Sequence, residues 1–234
     1  MPFYDYYSDR SATSVGMGWV RAQTRFVLGR LMHASPSASS LLEIGPGRGI
    51  FADACRQKHL HYCALDINAR LLRNLSGRGH SSIQARATHI PCASATFDII
   101  FASHVIEHSP GYSEALAFLE EMRRVAKCGG LVALVAPDYL ALREDFWNCD
   151  YSHSFVTTRR RLRQMYHDVG LTVTEERSLY GPLTGAAGWF AGQTAGGRMM
   201  GNIARAIPGA FGEKLYKLRL TFAHAILIIG RTPR

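Results

Sequence analysis

The chain has 234 residues, 47% of them apolar and 19% charged, a balance that suits one folded α/β domain and excludes a disordered or collagen-like chain. Five cysteines, Cys55, Cys63, Cys92, Cys128 and Cys149, show no C-x-x-C or finger spacing, so neither a disulfide framework nor a zinc site is expected, and reducing, cytoplasmic surroundings are. The formal charge of +9 is partly a C-terminal feature, because seven Lys/Arg stand against Glu213 alone between Arg198 and Arg234; it suits nucleic acid, an anionic membrane or an acidic substrate as well as plain solubility.

The first residues, MPFYDYYSDRSATS, lack the basic start and apolar core of a signal peptide, and the apolar run 223–229 is too short to span a bilayer. Residues 1–38 read as an N-terminal helical cap, with Trp19, Phe26, Leu28 and Leu31 packed over one end of a sheet. Residues 41–44 are a buried strand. The stretch LLEIGPGRGIF, 41–51, carries that strand through Gly45, Gly47 and Gly49 into a helix over 51–58, since glycine lets the backbone turn sharply and lets a ligand approach it. A second apolar run, 62–65, stops at Asp66; a weaker strand follows at 82–85 and a clear one at 97–102. Helical spacing over 113–127 ends at Cys128-Gly129-Gly130, and 131–136 is another apolar strand. Apolar strands joined by amphipathic helices predict a mostly parallel sheet covered on both faces.

After Pro137 the character changes. Residues 138–154 read as a long loop on the substrate side. Thr157 or Thr158 caps a helix that turns Leu162, Met165 and Val169 inward and stops at Gly170. A partly alternating strand covers 171–179 and the last strand 221–229. Between them lies a Gly-rich insert, 181–220, with nine glycines in forty residues, Trp189, Phe190 and the amphipathic series Ile203, Ile207, Phe211, Leu215, Leu218. The whole, 1–234, reads as a single domain without internal repeats.

The glycines are spaced G-x-G-x-G, one position short of the dinucleotide fingerprint, and no Gly-Lys-Ser/Thr follows to cradle a phosphate. Acidic groups stand there instead. Asp66 ends the second strand about seventeen residues past Gly49, where a carboxylate accepts both hydroxyls of a ribose or, equally, caps the residues after it. Glu43, beneath the turn, can receive an ammonium group or the backbone of the turn itself. A ligand with a ribose, a positive charge and no phosphate is S-adenosylmethionine.

With these residues in place, the chain resembles the class I S-adenosylmethionine-dependent methyltransferases, in the broad group of small-molecule and quinone-biosynthesis enzymes. LLEIGPGRG resembles their first motif, ALDIN with Asp66 the ribose-binding second, FDIIFASHVIEHSP the fourth-strand motif, and GGLVALVAPD the fifth strand. The segment FWNCDYSHSFVTTRRRLRQMYHDVGL resembles the substrate-side loop and helix, and residues 223–230 the antiparallel last strand. The resemblance implies a Rossmann-like, seven-stranded, mostly parallel sheet in the order 3-2-1-4-5-7-6, with an antiparallel last strand and helices on both faces. It implies Glu43, Gly45, Gly47, Gly49, Asp66, Ile67, Ala87 and Ser103 as cofactor-binding residues, with S-adenosylhomocysteine as product. One departure stands out: Arg86 occupies the position where relatives carry an acid facing the adenine amine, and a guanidinium cannot accept those hydrogens. Ala87 backbone and Ile67 stacking are then left to hold the ring.

Methyl transfer is an in-line displacement, so the protein must align the acceptor and take its proton where it has one. Histidine is the natural base near neutral pH. His104, after the fourth strand, and His153, in the loop after the fifth, are the candidates; Glu107-His108 belongs to a motif with structural and cofactor-positioning duties in the family. His33, His59, His61 and His80 read as surface or local hydrogen-bonding residues. No H-E-x-x-H or two-histidine-one-carboxylate pattern runs along the chain, so no metal is expected. The acceptor reads as a small, apolar or aromatic molecule methylated on oxygen or carbon, with residues 198–220 as a candidate peripheral membrane contact. An RNA methyltransferase and a non-catalytic cofactor-binding or partner subunit are the alternatives. Nucleic acid is disfavoured because neither Asn/Asp-Pro-Pro-Tyr/Phe nor a nucleophilic cysteine follows the fourth strand. Oligomeric state is not set by these residues.

Overall fold

The computed structural model describes residues 14–233. Helix α1 (Ser14–Ala34) leads to β1 (Ser40–Ile44), α2 (Ile50–Gln57), β2 (His61–Asp66), α3 (Ala69–Ser76), β3 (Ser81–Gln84) and β4 (Phe97–Ser103). A 3-10 turn (Ile106–His108), α4 (Tyr112–Val125) and β5 (Ala126–Pro137) follow. The strands form one sheet in the order β3-β2-β1-β4-β5-β7-β6, in which β7 (Ala225–Arg231) runs antiparallel to β5 and to β6 (Thr172–Leu179). This is the order that the resemblance implied.

Neighbouring strand residues point to opposite faces, and each face has its own core. Leu42, Ile44, Ile100, Ala102, Leu134 and Ile228 meet α4 and α7 (Arg159–Asp168) on one side. Leu41, Ile99, Phe101, Ala133, Leu227 and Ile229 meet α1, α2 and α3 on the other. Strands buried on both faces read as unbroken apolar runs, which is why β1, β4, β5 and β7 were legible as such. Helix α1 lies along one face through Val27, Leu28 and Leu31, and its Arg30 makes a two-pronged ion pair with Glu175 of β6, both contacts at 2.8 Å. The earlier part of the proposed cap, 1–13, lies outside the described residues.

Several boundaries differ from expectation. Helix α4 ends at Val125 rather than at the glycines, because Ala126 is already extended and pairs with Phe97; Cys128, Gly129 and Gly130 sit within β5 as an irregularity. Residues 138–154 carry two short helices, α5 (Tyr139–Leu142) and α6 (Asp145–Asn148). Thr158 caps α7 through Arg161 N, while Thr157 is buried and donates to the Pro137 carbonyl at 2.5 Å. The insert is three helices, α8 (Gly185–Gln193), α9 (Arg198–Ala206) and α10 (Gly209–Phe222), and the last strand starts at Ala225 rather than at 221 because α10 runs through Phe222. Pro208 separates α9 from α10, so the amphipathic series belongs to two helices; Ile203 and Phe211 on them are exposed.

The insert is tied down by charge. Arg219 of α10 is 1% exposed, and its Nε lies 3.0 Å from Asp145 Oδ2, an ion pair without hydrogen-bond geometry. Its other nitrogens donate to Gly196 O at 2.7 Å and Ala141 O at 3.2 Å. Asp145, equally buried, also takes Arg205 at 2.6 Å. Of the C-terminal cations, Arg219 is thus an internal fastener, while Arg205 pairs with Asp145 and Glu144 from the surface.

Candidate active site

The carboxyl ends of β1, β4 and β5 and the amino end of β7 open into one cleft of about 760 Å³. The site lies where parallel strands end, the usual place for a ligand in such sheets. Its floor is the glycine turn, where Gly45, Gly47 and Gly49 have φ of 71°, 51° and 72°. Gly45 N donates to Leu65 O and Gly49 N to Pro46 O, both at 2.8 Å. A Cβ on Gly45 would strike Val105, and one on Gly49 would strike Leu75 and Arg78, whereas a Cβ on Gly47 would meet nothing within 4 Å. Gly45 and Gly49 therefore serve turn and packing, and Gly47 leaves backbone open to a ligand. Arg78, which no motif pointed to, holds the turn by bonding Asp53 and the Arg48 carbonyl, both at 3.0 Å.

Glu43 lines the cleft yet is 3% exposed, and Tyr62 Oη donates to its carboxyl. Burial pushes its pKa up to about 8; the Tyr62 hydrogen bond works the other way without compensating, and the nearby Asp66 charge adds to the rise. Asp66 Oδ1 accepts Asn68 N at 2.8 Å, and Asn68 in turn caps α3, so the capping reading of Asp66 holds in part. A carboxylate has further acceptor sites, and burial lifts the pKa of this one despite the backbone bonds. Ile67 beside it is 57% exposed, an apolar surface presented at the strand end. Ala87 packs against the core in a turn where His89 N donates to Arg86 O at 3.0 Å, and the Arg86 side chain is exposed. Glu43, Gly45, Gly47, Ser103, His104 and His153 line the cleft itself; Gly49, Asp66, Ile67 and Ala87 do not.

His104 adopts φ 55°, a left-handed conformation unusual outside glycine and of a kind that gathers at functional sites. Its amide donates to Val135 O at 2.8 Å and its Nδ1 meets Glu107 Oε1 at 3.1 Å. A carboxylate only accepts, so Nδ1 carries the hydrogen and Nε2 is the basic nitrogen. Burial lowers the His104 pKa, but the hydrogen bond and charge of Glu107 outweigh it, and the net direction is up. His153 is different: it is 8% exposed, its Nδ1 bonds Phe146 O at 2.5 Å, and its ring lies 4.8 Å from those of His108 and Phe146. Burial holds its pKa down although Glu107 pulls upward. That is the setting of a loop anchor at the cleft wall. Glu107 is fully buried, its Oε2 lacks a hydrogen-bond partner, and one donor atom each from Glu107, His108 and His153 lie within 4.8 Å of one another. The two-histidine-one-carboxylate pattern absent along the chain is thus made by folding, and it is a set of donors able to hold a divalent cation.

A model of the methyltransferase domain family matches residues 20–176. An uncharacterized methyltransferase of Mycobacterium sp. (strain JLS) is 27% identical over 134 residues, 56% of this chain and 48% of that protein, so the match spans about half the length of this curated relative. Among solved structures, a SAM-dependent methyltransferase from Archaeoglobus fulgidus superposes with TM-score 0.64 at 15% identity, over 92% of this chain and 94% of that one. The N-methyltransferase NodS from Bradyrhizobium japonicum WM9 gives 0.62 at 14% identity, over 93% and 98%. The chain belongs to the methyltransferase domain family and has the class I fold of S-adenosylmethionine-dependent methyltransferases. Membership of that domain family implies S-adenosylmethionine as cofactor and S-adenosylhomocysteine as product. The match stops at residue 176, short of the insert and of β7.

Proposed function

We propose that the acceptor is a small apolar or aromatic molecule, methylated on oxygen or carbon. The observation that carries this reading is the cleft wall, where Trp19, Val27, Phe101, Val135, Leu142 and Leu220 supply apolar surface between polar side chains such as Glu43, Arg48 and His104, in a volume typical of small-molecule sites, roughly 300–1,000 Å³. The residues fit the cofactor: open backbone at Gly47, a buried acid at Glu43 to meet an ammonium group, and Asp66 with exposed Ile67 for the ribose and adenine. When bound, S-adenosylmethionine supplies an electrophilic methyl group on a sulfonium. Ser103 and the glycine turn shape the wall beneath it, and the apolar side chains keep water from the acceptor. His104, with Nδ1 held by Glu107, takes the proton of an acceptor hydroxyl on Nε2. His104→Gln should lower kcat by about 10²–10⁴-fold, the usual contribution of a positioned base. Steady-state assay of methyl transfer to a phenolic panel tests this; an unchanged kcat would remove His104 from the chemistry.

Glu43 gives the site a pH signature. Its pKa of about 8 means that it is largely protonated at neutral pH, and a ligand ammonium favours the carboxylate, so binding should release a proton. S-adenosylhomocysteine affinity should then rise about tenfold per pH unit below that pKa and level off above it. Calorimetry in buffers of different ionisation enthalpy measures the released proton directly, and Glu43→Gln should abolish it.

We also propose a peripheral membrane contact through 198–220. Helices α8 to α10 leave Trp189, Phe190, Met199 and Phe211 more than half exposed, beside Arg198, Lys214 and Lys217. Among the described residues no helix is long and apolar enough to cross a membrane. Sedimentation with anionic phospholipid vesicles should retain the protein at low salt, and Phe190→Ser together with Phe211→Ser should release it.

A further inference from the structure

Because β7 is antiparallel, its amino end lies beside the carboxyl end of β5, with Pro137 paired to Ala225. The next residue out on each strand, Asp138 and His224, therefore meet at the ligand edge of the sheet, although 86 positions apart. Asp138 N donates to His224 O at 3.1 Å, and His224 Nδ1 lies 2.8 Å from Asp138 Oδ2. The other carboxylate oxygen accepts Leu140 N at 3.0 Å, so Asp138 is held at both oxygens and is 8% exposed. A carboxylate so fixed keeps the imidazole hydrogen on Nδ1 and leaves Nε2 as an acceptor. That Nε2 is enclosed and has no hydrogen-bond partner, while His224 lines the cleft. A buried polar atom left unpaired costs stability and calls for a reason.

The insert supports the same residue. Tyr180 stacks on His224 with ring centroids 5.1 Å apart and planes 21° apart. Helix α8 packs on the same ring: a Cβ on Gly192 would collide with Tyr180, whereas one on Gly188 would strike the Leu183 carbonyl. One of the nine insert glycines, Gly192, thus makes room for the ring that braces His224.

We propose that His224, oriented by Asp138, binds a second protic group of the acceptor, so that the acceptor class is an aromatic molecule carrying two hydroxyl or amine groups. The inference rests on the small-molecule reading above: one group is presented to His104, the other is held by His224 Nε2, and two anchors fix an otherwise freely turning ring. His224 is a specificity residue rather than a base.

The test uses the full chain with S-adenosylhomocysteine and four probes, phenol, catechol, resorcinol and hydroquinone, titrated by calorimetry. At least one diol should bind about tenfold or more tightly than phenol, the scale of one good hydrogen bond to a desolvated group. His224→Phe, which keeps a ring for Tyr180, should erase that preference, and Asp138→Asn, which loosens the imidazole and shifts its hydrogen, should weaken it. Nitrogen-15 NMR of the wild type should show His224 with its hydrogen on Nδ1, and its Nε2 resonance should move with the diol alone. A wild type that treats diols and phenol alike, or a His224→Phe protein that still prefers a diol, overturns the proposal. Failure to bind S-adenosylhomocysteine would instead count against the cofactor residues assigned above, so the two failures are distinguishable.

Discussion

Asp145→Ala should lower the melting temperature by about 6–20 °C, the largest stability effect expected of a single polar change in this chain. Asp145 is 1% exposed and carries two guanidinium groups, Arg219 at 3.0 Å and Arg205 at 2.6 Å. Arg205 retains Glu144 at 2.9 Å after the change, but Arg219 is left as a charge in the interior with backbone carbonyls alone for company. Breaking a buried pair from one side costs about 3–5 kcal/mol, and for a domain of this size each kcal/mol moves the midpoint by about 2–4 °C. The control separates charge from packing. Arg219→Leu added to Asp145→Ala removes the stranded cation and should recover most of the loss, since apolar replacement of both partners is often neutral. Differential scanning calorimetry of both variants decides it; a double variant no more stable than the single one would mean that the guanidinium's carbonyl contacts, not its charge pairing, hold α10 in place.

The second large effect belongs to Asp66. Asp66→Ala should weaken S-adenosylhomocysteine by two orders of magnitude or more in calorimetric titration, because a carboxylate taking two ribose hydroxyls contributes about 1.5–3 kcal/mol for each charged hydrogen bond. The change also removes the acceptor of Asn68 N, so the start of α3 must be checked by circular dichroism alongside. Asp66→Asn keeps that acceptor and should lose most of the same affinity, which isolates the charge from the cap. Undiminished binding in both variants would leave Asp66 as a helix-capping residue alone.

The strands themselves, the glycine turn and the carboxylates at two strand ends were legible because each is a local property, whereas the order of the strands followed only from the family resemblance. Continuous apolar runs mark strands buried on both faces, glycines mark left-handed backbone, and an acid at a strand end stands out against its neighbours. Boundaries were less so. Helix α4 and the last strand both shifted because long-range pairing of Phe97 with Ala126 and the extension of α10 through Phe222 overrode local signals. Charge was misleading in the same way: Arg219 reads as part of the C-terminal excess of cations until folding buries it against Asp145.

By itself the sequence determined the alternation of strands and helices and the glycine turn, since these rest on periodicity and on residues adjacent in the chain, and its motifs carried the resemblance that implied strand order and cofactor. Tertiary structure alone distinguished the surroundings of the two histidines. His104 and His153 looked equivalent as letters, but Glu107 holds one with Nε2 bare while Phe146 and His108 wall in the other. It also joined Asp138 to His224 through an antiparallel pairing that no spacing announces. The physical reason is range: a proton's location on an imidazole depends on a partner within about 3 Å, and that partner is supplied by strand register, not by sequence neighbours.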